Sequence, residues 1–211
     1  MNAVAADVTA LLAGDGRTGA DHPLVTYYDD ATGERVDLSA EELGSWTART
    51  ANLLHEGCGL GIGSRAAMLL PPHWQTAAVL LGAWSTGVAV SFRLAATAGL
   101  PVLEPAGEPL DATFVSWKRL DDWLEDVPEA DHRFVLGLAP DAVPMREVPA
   151  GYRDYLAEVR GYSDRPPSYL PERTAAASVD GTSFGEWESL ARIIADRHDV
   201  RAGDRLLVDV A

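Results

Sequence analysis

The feature that most constrains this chain is an ordered series between Ser39 and Phe92. Ser39, with Glu42 three residues on, forms the S-x-x-E capping box that opens a helix. Leu43, Trp46, Thr50, Leu53 and Leu54 follow at helical spacing, so one face of that helix is set for burial. Gly57, Gly59, Gly61 and Gly63 end it, and Arg65 to Leu70 reads as an apolar strand. Pro71 and Pro72 stop the strand, Trp74 to Trp84 predicts a second apolar helix, and Val88 to Phe92 a further strand. Strand, helix and strand joined this closely require a right-handed crossover between parallel strands whose faces are covered. The predicted fold class is therefore α/β, a mostly parallel sheet with helices on both faces.

The flanks extend this frame. Val4 to Ala13 has the pattern of a short helix, and Leu24 to Tyr28, the turn Asp30 to Gly33 and Arg35 to Leu38 read as a hairpin. Leu100 to Pro171 holds ten of the thirteen prolines. Within it, Ala112 to Val115 and Arg133 to Leu138 are strand candidates, and Leu120 to Glu125 and Tyr152 to Val159 short helices. Tyr162 to Arg173, with three prolines, has the composition of a linker. The end of the chain repeats the beginning: Ser183 and Glu186 make a second capping box after a candidate strand, Arg173 to Val179. Trp187, Leu190 and Ile194 stand at the offsets of Leu43, Trp46 and Thr50. The turn Arg201 to Arg205 matches Gly61 to Arg65, and Leu206 to Val210 matches the strand Ala66 to Leu70. Three segments follow: an N-terminal α/β subdomain over 1–100, a proline-rich middle over 101–172 that forms a second small subdomain, and a repeat unit over 173–211.

With 211 residues, 47% of them apolar and 23% charged, the chain is large enough for a packed core without staples. A net charge of −15 repels polyanions, which argues against nucleic acid and anionic membrane as partners. The single cysteine, Cys58, excludes an internal disulfide and a cysteine-rich zinc site. Met1 to Gly14 lacks the basic start of a secretory signal, and Trp74 to Val90 is too short and too polar to span a bilayer, so a cytoplasmic protein is expected. Lys118 is the one lysine, in a solvated setting between Trp117 and Arg119.

Motifs that could carry chemistry are few. Gly181-Thr182-Ser183-Phe184-Gly185 fits the nucleophile-elbow pattern, but the only later histidine, His198, lies on the same helix, about 20 Å away. Ser183 reads instead as a helix cap. The alternating glycines 57–63 run from helix to strand, whereas a phosphate cradle runs from strand to helix. His22, His132 and His198 each neighbour an aspartate and lack metal-ligand spacing; His55 stands alone, and His73 reads as a helix cap after its two prolines. Asp121 to Asp126 reads as a solvated amphipathic helix. No catalytic or metal-binding residue is assigned. The remaining candidate is an anion site at Gly181, Thr182 and Ser183, where free N–H groups and the helix dipole favour phosphate, opposed by the charge of Asp180.

Three stretches carry a family resemblance: V-D-L-S-A-E-E-L-G-S-W-T-A-R-T-A-N-L-L, G-L-G-I-G-S-R-A-A-M-L-L-P and H-W-Q-T-A-A-V-L-L-G-A-W-S-T-G-V-A-V, all within Val36 to Val90. They resemble the N-terminal region of the adenylate-forming (AMP-binding) superfamily, which comprises acyl-CoA synthetases, peptide-synthetase adenylation domains and luciferases. Ser183 to Val210 resembles the helix, turn and strand that follow the phosphate loop in those enzymes. The chain as a whole resembles a family of short, uncharacterised relatives of them. In the enzymes a Ser/Thr/Gly-rich loop ending x-Pro-Lys holds the ATP phosphates; here the matching place reads Ala175 to Thr182, without that proline or lysine. The resemblance stops before the adenine-binding region, the metal and ribose ligands and the mobile C-terminal domain. It therefore implies a noncatalytic binding or regulatory protein without a resident cofactor, acting through a protein partner, a second copy or a small ligand such as ATP or AMP. Two alternatives remain: a nucleotide-dependent acyl-activating enzyme or subunit of a split one, and a structural protein that self-associates through an open sheet edge.

Overall fold

In the computed structural model, residues 23–92, 110–122, 127–139, 141–168, 171–201 and 203–208 are described. The expected helix Val4 to Ala13, His22 and the end of the acidic run, 123–126, lie outside them. The hairpin forms as expected, with β1 (Val25–Asp29) antiparallel to β2 (Glu34–Leu38). Ser39 then caps α1 (Ala40–Asn52) in a complete capping box: its hydroxyl accepts the Glu42 N–H while the Glu42 carboxylate accepts the Ser39 N–H. A π-helical turn, Leu53–Gly57, continues α1 and leads into β3 (Arg65–Leu69). His73 caps α2 (Trp74–Thr86), as its place after two prolines predicted. Gly87 ends that helix in the left-handed conformation, φ +77°. The chain proceeds through β4 (Ala89–Phe92), β5 (Leu110–Ser116), α3 (Trp117–Asp122), β6 (Ala130–Leu136), β7 (Arg153–Asp154), α4 (Tyr155–Val159) and α5 (Phe184–Arg197).

The five strands form one parallel sheet of order β4-β3-β5-β6-β7. The strands of the proline-rich segment thus extend the sheet begun by β3 and β4. Strand alternation divides the side chains. Ala66, Met68, Ala112, Phe114, Phe134 and Leu136 face one side, against residues of α1, α2 and α4. Leu69, Val115 and Val135 face the other, against Leu120 of α3, Met145 and Tyr152. On the first side Phe114 stacks on Phe134 at 5.0 Å and meets Tyr155 edge-on at 6.2 Å. The buried Tyr155 hydroxyl is satisfied by Thr50 Oγ1 at 2.7 Å. Helices α1 and α2 cross closely because Gly82 has no side chain: a Cβ there would lie 2.5 Å from Thr50 Cβ.

Four expectations are corrected. Helix α3 starts at Trp117 rather than Leu120, and α4 begins at Tyr155 because Asp154 caps it, accepting the Ala157 N–H at 2.6 Å. Arg173 to Val179 is not a strand: Ser178 makes a single parallel bridge to Val90, and Ala176 an antiparallel one to Ser183. The expected strand Leu206 to Val210 does not form over its described residues: Leu206, Leu207 and Val208 are 71%, 88% and 79% exposed and belong to no ladder. An extended segment becomes a strand only beside another strand, and none lies against it among the described residues. Among those residues no helix is long and apolar enough to cross a membrane.

Candidate functional site

Helix α5 begins where the sequence placed its anion candidate, and the geometry there is closed. Gly181, at φ +91°, donates its N–H to Ser178 O at 3.0 Å. The Thr182 N–H goes to the Asp180 carboxylate at 3.0 Å, which also accepts the Ser178 hydroxyl at 2.7 Å. Ser183 donates its N–H to Glu186 Oε2 at 2.8 Å, and its hydroxyl accepts the Glu186 N–H at 3.3 Å. All three N–H groups of the candidate site are therefore engaged by the chain itself. Two carboxylates, Asp180 and Glu186, take up donors that a phosphate would need. The Ser178 hydroxyl bond, followed by the Thr182 bonds, holds the Asp180 carboxyl below its ordinary range. The Ser183 backbone bond, then its hydroxyl, does the same for Glu186. Both are ionised at neutral pH, so the start of α5 carries negative charge. An incoming anion would have to displace them.

A second polar assembly lies at the carboxyl edge of the sheet. The chain leaves β3 for β4 on one side and returns to β5 on the other, which makes the β3–β5 boundary a topological switch point. His73, directly after β3, is nearly fully buried. Its Nδ1 accepts the Gln75 N–H at 3.1 Å, so in the neutral ring the proton sits on Nε2. That atom lies 3.8 Å from Glu34 Oε1 of the hairpin, and neither has a hydrogen-bond partner. Tyr27 packs edge-on against the imidazole at 4.5 Å. Burial drives the His73 pKa down to about 4 and pushes Glu34 up, helped by Asp29 and Asp141. The Gln75 side chain, fully buried, donates to Ala139 O at 3.3 Å while its own Oε1 stays unpaired. From the other side of the switch point come the buried Ser116 and the exposed Trp117 and Lys118.

Sequence reading placed His73 as a cap but did not connect it to Glu34 or Tyr27, because the hairpin's seating on α2 is a tertiary contact. The remaining singled-out residues stay apart from both places. Half-buried Cys58 receives an Arg153 guanidinium N–H at 3.6 Å; burial raises its thiol pKa, so it lacks the activation of a nucleophile. Arg153 also reaches His132 Nδ1 at 3.0 Å. No group of three or more metal-ligating side chains occurs among the described residues.

Comparison with known proteins places these features in a family. Over 188 residues, 88% of this chain and 71% of the relative, the sequence is 36% identical to a Mycobacterium tuberculosis (strain ATCC 25618 / H37Rv) protein described as a TIGR03089 family protein. The chain belongs to the TIGR03089 family. No family model matches it. Among solved structures, a Brucella canis acyl-CoA synthetase superposes with a TM-score of 0.54 at 20% identity, over 78% of this chain. The anthranilate CoA ligase AuaEII, solved with anthranoyl-AMP, gives 0.54 at 14% identity over 82%. This TIGR03089 family chain spans 29% and 32% of their respective lengths, so it shares the fold of one part of each enzyme. The expected likeness to the N-terminal part of adenylate-forming enzymes holds at the level of fold.

Proposed function

We propose that this chain is a noncatalytic relative of the adenylate-forming enzymes, a binding or regulatory protein that does not activate acids with ATP. One observation carries the reading. At the place resembling the enzymes' phosphate loop, the N–H groups of Gly181, Thr182 and Ser183 are closed by Ser178 and by the ionised carboxylates of Asp180 and Glu186. A loop that satisfies its own donors with negative charge has the wrong sign for a triphosphate. The likeness to two acyl-activating ligases favours the rival reading, an acyl-activating enzyme or one subunit of a split one.

Thermal unfolding with ATP, AMP, an acyl-adenylate mimic and coenzyme A, run beside ATP–pyrophosphate exchange with magnesium over a panel of acids, separates the two. A ligand at 100 times its Kd adds about 2.7 kcal/mol, which raises Tm by roughly 5–10 °C for a chain of this size. The expected outcome is no exchange and no shift with ATP. A shift with ATP should emerge in Asp180→Asn/Glu186→Gln, which removes the blocking charges. Magnesium-dependent exchange by the unaltered chain would overturn the proposal.

A further inference from the structure

Helix α5 is covered over its first turn and exposed beyond it. Phe184 is buried, and Trp187 packs inward with its indole N–H on Ser178 Oγ at 3.2 Å. Further along the helix, Leu190, Ile193 and Ile194 are 45%, 63% and 51% exposed. Leu190 and Ile193 are flanked by Glu186 one turn before and Arg197 one turn after, so residues 186, 190, 193 and 197 recur at intervals of four, three and four. That spacing is the seam of a coiled coil, here with an acid at one end and a base at the other. Glu186 spends only Oε2 on the capping box, and Arg197 has no ion-pair partner among the described residues.

We propose that a second copy of this chain docks here, the two α5 helices packing antiparallel about a two-fold axis between residues 191 and 192. In that register Leu190 meets the second copy's Ile193 and Glu186 meets its Arg197, each pair occurring twice. A parallel arrangement would instead set glutamate on glutamate and arginine on arginine. The interface is isologous, so it closes at two copies. The three apolar side chains offer roughly 300 Å² per copy. With Glu186 and Arg197 the surface covered comes to about 1,000 Å² in all, the lower edge for a specific interface. The −15 on each copy opposes association at low salt and is screened at about 0.15 M. The proposal holds whether or not the chain turns over a nucleotide.

Sedimentation of the full chain from about 1 μM to about 500 μM, the range of weak self-association, tests it. The mass should rise from 22.5 kDa toward twice that value. Ile193→Glu, at an exposed position that folding does not need, should weaken association at least tenfold, and Arg197→Glu should weaken it less. Mixing Arg197→Glu with Glu186→Arg should restore the dimer, because each mixed pair again joins opposite charges; circular dichroism verifies that both variants keep their helix content. A monomer at every concentration would overturn the proposal. So would a dimer indifferent to Ile193→Glu, or a mixture that associates no better than its components.

Discussion

Two helices of this molecule start from the same local instructions and end in different surroundings. In α1 the Ser39–Glu42 box opens a helix whose Leu43, Ala48 and Ala51 are buried, and the π-helical turn that follows feeds a strand at the interior of the sheet. In α5 the Ser183–Glu186 box forms with matching bonds, yet Phe184 alone is buried, and the apolar segment after it pairs with nothing described. Capping is a local transaction between a side chain and the first free N–H groups, so it works anywhere. Burial and strand formation need a neighbour. The apolar spacing in the second unit specifies a face that wants cover without specifying what covers it.

The largest test of this contrast is truncation. Leu43→Ala should lower stability by about 3 kcal/mol in urea unfolding, through lost transfer energy and a residual cavity. Ile194→Ala, at dilution that keeps the chain monomeric, should change it by less than about 0.5 kcal/mol. Equal losses would mean that α5 is covered by its own chain in solution.

The next effect separates α2, capped by a histidine, from the two serine-capped helices. His73 titrates near 4 when folded and near 6.5 when unfolded, so the stability tied to its neutral form is present above pH 6.5 and fades as pH falls through 4. The loss should be on the order of 3 kcal/mol, since protonation both charges a buried ring and removes the lone pair that accepts the Gln75 N–H. His73→Asn keeps an acceptor at the cap and should flatten this part of the pH profile; an unchanged profile would move the titration to another group.

The smallest test compares the caps themselves. Ser39→Ala should cost about 1 kcal/mol of global stability, because unravelling α1 exposes core. Ser183→Ala should leave global stability within about 0.5 kcal/mol and instead speed amide exchange in the first turn of α5. Matching global losses would erase the distinction between the two units.

The legible parts of the sequence were those governed by neighbours along the chain. Both capping boxes, the hairpin, the His73 cap and the strand segments of β3, β5 and β6 follow from local pattern alone, and they sufficed for the α/β class. The illegible parts depend on contacts between distant residues. Nothing in Leu206 to Val208 separates a strand with a partner from a segment without one. The pairing of Glu34 with His73 requires knowing that the hairpin lies over α2. The anion candidate was visible as a strand-to-helix turn with glycine, and the closing bond from Glu186 was implicit in its capping box, but the bonds that Asp180 accepts from Ser178 and Thr182 depend on rotamers that no pattern encodes.

The proline-rich segment after α4 follows a path set from outside itself. Arg49 donates to the carbonyls of Arg160 and Tyr162, and the Asn52 amide donates to those of Ser163 and Arg165, at 2.8–3.2 Å. Two side chains of α1 thus read the backbone of that loop and, apart from the Arg49–Asp164 ion pair, ignore its side chains. A loop held this way can change most of its residues while its length stays fixed; Tyr162, which packs against the core, is the exception. Homologues should therefore diverge in the letters of 160–165 outside Tyr162 and keep their number, with the arginine and asparagine of α1 as the record of a constraint that the loop itself does not display.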